Sequence, residues 1–240
     1  MTSLRDCAYA ELRRRIVDLV YAPGQRLFER DLATELSLSR IPLREALQLL
    51  RNDGLVVCVP RQGVVVAHFT ADDVRDLFDV RESLESLAAR LAAARADEDG
   101  LARLRASMAA ARVALVTGDD PGVAAANARF HRELVAMAGN PLLSAMMRPL
   151  EARTQWLFNL TRRRDLVQQC EEHQGLYEAV AAGAAERAAA LAFAHVASGR
   201  AESVALAAEW SAGVVDPVEA TRGRRRVTEP AGSTPAAPPG

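Results

Sequence analysis

Lysine is absent from this sequence, so all 30 of its basic residues are arginine. A complete bias of this kind is typical of genome composition, and it also supplies planar guanidinium forks that suit bidentate contacts. Cysteine is scarce: Cys7, Cys58 and Cys170 lie far apart and form no CxxC pair. An odd, scattered set argues against a disulfide framework and favours a reducing compartment, so we expect three buried thiols.

Aromatic residues and long hydrophobic runs are also lacking. Aromatics make up 5% of the chain, and charged residues interrupt the apolar stretches well before the roughly 20 residues that a membrane span requires. The N-terminus shows no signal-peptide pattern. We therefore expect a cytoplasmic protein with no membrane partner. Half of the residues are hydrophobic, many of them alanine, and alanine-rich composition favours helices packed on helices.

Charge is unevenly distributed along the 240 residues, a length that suits two domains. The net charge of −1 argues neither for nor against a nucleic-acid partner. Residues 1–66 carry ten arginines against eight acids, whereas residues 67–216 carry sixteen against twenty-one. The electropositive surface is thus expected in the N-terminal part of the chain, and such a surface is what a DNA-binding element needs.

The first 69 residues predict a winged helix-turn-helix domain. Apolar spacing predicts helices over residues 4–20, 29–36 and 40–51. The apolar residues then lose their helical spacing. β-branched runs at 55–59 and 64–68 flank Pro60-Arg61-Gln62-Gly63, which is a hairpin signal. Three helices followed by one β-hairpin are the layout of a winged helix-turn-helix. We expect His68, at the end of this hairpin, to be structural.

The rest of the chain predicts an all-α antiparallel helical bundle over residues 70–212. Helices are expected at 71–95, 98–117, 120–138, 141–163, 165–182 and 184–210, with Arg164 and Gly183 among the breaks. After Asp216 the composition turns to Pro, Gly, Arg, Ser and Thr, which predicts a disordered tail over 213–240. The fold class is therefore mostly α.

The third helix has the pattern of a DNA-reading element. Its apolar residues share one face, and a polar set occupies the opposite face: Arg40, Arg44, Gln48 and Arg51. Arginine can bind guanine O6 and N7 or clamp a phosphate, and free N–H groups beside Ser39 suit a phosphate at the helix start. Gly63 lets the wing backbone approach the minor groove. The alternative is that these arginines only solvate a surface helix.

The run from Ala22 to Val66 closely resembles the DNA-binding domain of the GntR superfamily. Shared features are the Pro-Gly-x-x-Leu lead-in, the "LSLSRIPLREAL" helix pair and the "GLV…PRQGVVV" wing. The resemblance implies DNA contacts by five residues that match the family motif: Arg30, Ser39, Arg40, Arg44 and Gly63. Ile41 replaces the family's threonine and Gln62 its second wing arginine, which leaves the operator sequence open.

Three histidines of the bundle are related by spacing. Asn127 and His131 lie one turn apart on one helix face. His173 and His195 lie on consecutive helices, each about eleven residues from the turn near Gly183, so both stand about 16 Å from that turn at the same level. Imidazoles on facing helices suit Zn²⁺ or Ni²⁺. The alternative is that these are ordinary core histidines.

The bundle resembles the FCD (FadR C-terminal domain) class of GntR regulators. The resemblance rests on "DVRESLESLAARLAA", "NARFHRELVAMAGNPLL" and "EEHQGLYEAVAAGAAERAAALAFAHV". It implies a divalent-metal site lined by Asn127, His131, His173 and His195, a small carboxylic acid as effector, and Arg81 as its carboxylate clamp. For Arg81 the alternative is a solvated arginine paired with Glu85.

A departure from the FCD pattern is the asparagine at 127, where many relatives carry aspartate. Because a neutral amide oxygen is the weaker ligand, Asn127 either leaves the metal weakly bound or hydrogen-bonds the effector.

These observations together predict a ligand-responsive DNA-binding transcription regulator, and not an enzyme. We expect a homodimer on double-stranded DNA with a palindromic operator, because a two-fold dimer reads two related half-sites. One alternative is a metal-dependent helical-bundle enzyme with Glu133, Glu171 or Glu172 as base. No HExxH motif is present, and no bundle histidine follows a glutamate by three residues. The other alternative is a constitutive DNA-binding dimer without an effector.

Overall fold

A computed structural model describes residues 3–59, 63–161 and 165–211. Its N-terminal part is a winged helix-turn-helix, as predicted. The elements are α1 (Leu4–Val17), β1 (Arg26–Leu27), α2 (Glu29–Glu35), α3 (Arg40–Asn52), β2 (Val56–Val59) and β3 (Gly63–Val66). The strands form an antiparallel sheet in the order β1-β3-β2, in which Val65 pairs with both Arg26 and Val57.

The remainder is an all-α bundle, which confirms the predicted fold class. Its helices are α4 (Ala71–Ala94), α5 (Glu98–Thr117), α6 (Asp120–Met137), α7 (Pro141–Thr161), α8 (Leu166–Ala181), α9 (Ala185–Ser198) and α10 (Arg200–Ser211). Within the described residues, none of these helices combines the length and the apolar character that crossing a bilayer requires.

Helix starts in the bundle follow from local capping. Thr70 accepts a hydrogen bond from the Asp73 N–H while the Asp73 carboxylate accepts from the Thr70 N–H, which is a complete capping box for α4. The side chains of Asp97, Asp119 and Asp165 accept hydrogen bonds from backbone N–H groups at the starts of α5, α6 and α8. Short polar connections therefore fix where each long helix enters the bundle.

Some predicted boundaries were wrong. The first helix ends at Val17 rather than at residue 20, because Asp18 is its C-cap and Leu19 adopts a positive φ of 62°. The predicted helix 184–210 is two helices, α9 and α10, which are separated at Gly199. Strand β1 was not predicted, since two residues carry no alternating pattern.

Several sequence expectations lie outside the described residues. They are the Pro60-Arg61-Gln62 part of the hairpin turn, the break at Arg164 and the disordered tail over 213–240.

The expectation of buried thiols was also wrong. Cys7 and Cys58 are exposed, Cys170 is half-buried, and all three are free. Ala8 and Leu12 supply the buried side of α1, which leaves Cys7 outside it. Cys58 is exposed near the end of β2, although it shares a face of the strand with the buried Val56. His68 lies beyond β3, and its ring packs against Gly24, which has a φ of +78°.

Helix α7 joins the bundle to the winged helix-turn-helix. One apolar cluster contains Trp156 of α7 together with Leu12 and Ile16 of α1, and Trp156 packs edge-on against Phe69 at 4.8 Å between ring centroids.

Two α7 side chains add polar contacts to this junction. The Arg153 Nε donates to the Asp53 carbonyl oxygen at 3.1 Å, and the Asn159 Nδ2 donates to the Val17 carbonyl oxygen at 2.8 Å. These contacts reach the ends of both α3 and α1.

Candidate functional site

Helix α3 buries its apolar face and exposes its polar face to solvent. Its buried residues are those of the predicted apolar face: Leu43, Ala46, Leu47 and Leu50. The opposite residues are all exposed: Arg40, Arg44, Gln48 and Arg51. The 3.6-residue period of this amphipathic helix thus places the buried core residues on one face and the exposed polar residues on the other.

The exposed side chains of this surface have defined partners. The Arg44 Nε donates to Glu29 Oε2 of α2 at 2.8 Å, and the Gln48 Nε2 donates to Asn52 Oδ1 at 2.9 Å. The Arg44–Glu29 pair was not expected from the sequence, because the two residues are fifteen positions apart on different helices. It holds the Arg44 guanidinium beside the start of α2.

The other predicted DNA-binding residues lie around this face. Arg30 has 87% of its side chain exposed. Ser39 is the N-cap of α3, and its hydroxyl makes no capping hydrogen bond to the helix. Gly63 begins β3 with a φ of +83°, and an added Cβ would meet nothing within 4 Å. All three positions are accessible to a partner.

The three bundle histidines converge on one point. His131 of α6, His173 of α8 and His195 of α9 place their Nε2 atoms 3.2 Å apart in all three pairs. Four-coordinate zinc with Zn–N distances of 2.0–2.1 Å requires imidazole nitrogens about 3.3–3.4 Å apart. The observed triangle is therefore close to the spacing that a bound divalent metal needs.

Two carboxylates orient the rings of His131 and His195 by contacting their Nδ1 atoms. The Nδ1 of His131 lies 3.0 Å from Glu85 Oε2, and the Nδ1 of His195 lies 2.7 Å from Glu172 Oε2. A carboxylate is an acceptor, so each Nδ1 carries the proton and leaves the Nε2 lone pair for a ligand. The Nε2 lone pairs of His131 and His195 face one another at 3.2 Å and repel unless a cation lies between them, so the donor set fits a metal.

Arg81 belongs to the same network. It is buried, with 1% exposed, and its Nε donates to Glu85 Oε1 at 2.7 Å. Burial alone would raise the pKa of Glu85, but Arg81 and His131 hold that pKa well below its usual value. The alternative of a solvated Arg81 is therefore wrong, although its pairing with Glu85 is present.

A cavity of about 420 Å³ opens beside the histidines. Arg81 and Asn127 both line it, and the Asn127 Nδ2 donates to Gln169 Oε1 at 2.9 Å. Phe130 stacks on the His173 ring at 4.4 Å between centroids. The pocket thus combines the three imidazoles, a guanidinium and an amide in one concave space, which is the composition of a small-ligand site.

Sequence reasoning missed the contribution of α7 and α1 to this cavity. Its lining includes a polar set from α7 and the C-cap of α1: Glu151, Thr154, Gln155, Asn159 and Asp18. The spacing of the α7 residues was a usable signal, because positions i, i+3, i+4 and i+8 share one helix face. The part played by Asp18 depends on tertiary packing and had no signal in the sequence.

Comparison with known proteins supports the regulator assignment. Residues 4–66 match the family described as bacterial regulatory proteins, gntR family, and residues 76–198, just over half of the chain, match the FCD domain. The chain belongs to the GntR family. It is a DNA-binding transcription regulator of the FCD type.

Individual GntR relatives agree. An HTH-type transcriptional regulator from the TAR-I ttuE-ttuC' intergenic region of Agrobacterium vitis is 38% identical over 134 residues, covering 55% of this chain and 78% of that protein. The Nta operon transcriptional regulator of Aminobacter aminovorans is 30% identical over 185 residues, covering 73% and 83%. A solved GntR transcriptional regulator from Rhodococcus sp. RHA1 has a TM-score of 0.71 at 25% identity, covering 84% of this chain and 97% of that one.

Proposed function

We propose that this GntR regulator senses a small carboxylic acid through a divalent metal held by His131, His173 and His195. The observation that carries the proposal is the triangle of three Nε2 atoms, each 3.2 Å from the others, beside a cavity of about 420 Å³. When bound, Zn²⁺ or Ni²⁺ would supply a Lewis acid for which the effector carboxylate is a ligand.

The surrounding residues have distinct parts in this proposal. Glu85 and Glu172 fix the tautomers of His131 and His195 through their Nδ1 atoms. Asn127 is a further metal ligand or an effector contact, since it lines the cavity while its amide nitrogen is engaged by Gln169. Arg81 is the proposed carboxylate clamp, and Glu85 holds its guanidinium at the cavity wall.

On the DNA side, we infer that the exposed face of α3 reads a palindromic operator as a homodimer in the cytoplasm. The proposed contacts are Arg30, Ser39, Arg40, Arg44, Gln48 and Gly63. Support comes from the exposure of these residues and from the accessible backbone at Gly63. Arginine forks suit both guanine edges and phosphates in such a complex.

A sensing role also fits the cavity better than hydrolysis. Of the glutamates considered as a general base, Glu172 is engaged with the His195 Nδ1 and so orients a ligand instead.

Thermal unfolding with metals and carboxylic acids tests the proposal. Purified full-length protein is loaded with Zn²⁺ or Ni²⁺ and melted against a panel of small carboxylic acids. A cognate acid at 100 times its Kd should stabilise the protein by about 2.7 kcal/mol. In His173→Ala, both metal uptake and this stabilisation should be lost.

Operator binding gives the control, because His173→Ala leaves the surface of α3 unchanged. If no metal and acid pair stabilises the wild-type protein while it still binds DNA, it is a constitutive DNA-binding dimer instead.

A further inference from the structure

The α7 side of the cavity has a chemistry different from that of the histidine side. Glu151, Thr154, Gln155 and Asn159 lie on one face of α7 and all line the cavity. They offer a carboxylate, a hydroxyl and two amides to a ligand. A metal-bound carboxylate is recognised without them, so these groups are suited to another part of the effector.

Glu151 is the charged member of this polar face. Among residues 3–59, 63–161 and 165–211, no ion pair within 4.0 Å includes its carboxylate. The buried carboxylate of the cavity, Glu85, has Arg81 at 2.7 Å, whereas Glu151 is half-buried. Burial raises the pKa of Glu151 above its usual value, and the nearby Arg132, Arg13 and Arg148 only partly oppose this. A carboxylate in this position favours a cationic partner.

The charges around the cavity also favour a cationic group in the effector. Four carboxylates of the described residues line it, Asp18, Glu85, Asp120 and Glu151, against the guanidinium groups of Arg81 and Arg132 and the two positive charges of the proposed metal, so the loaded lining is close to neutral. An effector with only a carboxylate would add negative charge to this lining. An effector that also carries an ammonium group would add none, and a buried charge is costly without a partner.

We propose that the effector is an amino-substituted carboxylic acid, whose carboxylate faces the histidine triad while its ammonium group donates to Glu151. This inference rests on the proposed function, since it takes the triad as the carboxylate site. The cavity of about 420 Å³ lies near the lower end of the range for ligand pockets, roughly 300–1,000 Å³, and so suits a molecule of amino-acid size.

Matched ligand pairs test this assignment. Zinc-loaded full-length protein is titrated by calorimetry with glycine, alanine and the terminally aminated butanoic, pentanoic and hexanoic acids, each beside the same acid without its amine. We expect one aminated acid to bind about tenfold more tightly than its partner, the effect of a charge-assisted hydrogen bond to a carboxylate. In Glu151→Gln this preference should disappear.

The control variant is Glu133→Gln, on α6, where Glu133 pairs with Arg103 and does not line the cavity. It should keep the full preference for the amine. If unaminated acids bind the wild-type protein equally well, or if Glu151→Gln keeps the preference, the inference is wrong while the proposed function stands. If acids of neither kind bind to metal-loaded protein, both are wrong.

Discussion

At the scale of single residues, the two glutamates behind the histidines decide what the triad can bind. Metal ligation requires an unprotonated ring nitrogen, and a carboxylate on Nδ1 leaves Nε2 as that nitrogen. Glu172 does this for His195 at 2.7 Å, and Glu85 does it for His131 at 3.0 Å. The triangle of nitrogens therefore depends on residues that do not themselves reach its centre.

Removal of the Glu172 carboxylate should weaken metal binding. In Glu172→Ala we expect an affinity for Zn²⁺ lower by about 10–100-fold, because the His195 ring loses its orienting acceptor. Competition with a chromophoric chelator measures this affinity. Glu171→Ala is the matched control, since Glu171 is the exposed neighbour in α8. Equal affinities in the two variants would show that Glu172 has no orienting role.

Arg44 is the residue of α3 whose replacement is most informative for DNA. If Arg44 contacts a base, Arg44→Ala should weaken operator binding by roughly 1–3 kcal/mol and relax specificity at one position. If it contacts a phosphate, all DNA sequences should be weakened alike, with a smaller salt dependence. Fluorescence anisotropy at several salt concentrations separates these cases.

The control for Arg44 is Arg75→Ala, an exposed arginine of α4 paired with Asp72. Unchanged operator binding in a folded Arg40→Ala/Arg44→Ala double variant would show that α3 is not the DNA-binding surface.

At the scale of elements, α7 connects the cavity to the DNA-binding part. One side of it lines the cavity with Glu151 and Thr154, while Arg153 donates to the carbonyl of Asp53, the C-cap of α3. A ligand that moves α7 therefore acts on the end of the reading helix through a direct hydrogen bond. This hydrogen bond connects the helix that lines the cavity directly to the end of α3.

Arg153→Ala should uncouple effector from operator. We expect effector affinity to stay near the wild-type value while the effector-induced change in operator affinity shrinks, because the contact between α7 and α3 is lost. Parallel calorimetry and anisotropy measure the two affinities. The matched control is Arg187→Ala, an exposed arginine of α9 that does not line the cavity. Intact coupling in Arg153→Ala would place the communication in another contact.

Local elements were predictable where one period or one cap controls them. The amphipathic pattern of α3 correctly gave its buried face, and most helix limits lie within a few residues of the glycine, proline and aspartate breaks. The division at Gly199 was missed because both sides are alanine-rich and helix-forming. Strand β1 exists only through pairing with β3, which no local pattern encodes.

For the site, sequence spacing predicted that the histidines of α8 and α9 stand level, and their Nε2 atoms lie 3.2 Å apart. Sequence spacing did not reveal Glu172 as the partner of His195, because that contact depends on how the two helices rotate against each other. Asp18 was missed for a similar reason: it reaches the cavity only because α1 packs on α7.

At the scale of the whole molecule, operator recognition should require two copies. One winged helix-turn-helix buries little DNA surface, and a two-fold dimer reads two half-sites about one helical turn, roughly 34–36 Å, apart. We expect sedimentation velocity to show a dimer at micromolar concentration, and footprinting to show a palindrome. A strict monomer on one asymmetric half-site would contradict this.

The cavity lining crosses the boundary that a protein engineer would choose for cutting this chain. Asp18 belongs to the N-terminal part, and Asn159 of the bundle reaches back to the carbonyl of Val17. A chimera that joins this bundle to the DNA-binding part of another GntR regulator at residue 69 would therefore replace part of the cavity wall. Transplanting the sensor intact requires that the last turn of α1 travel with it.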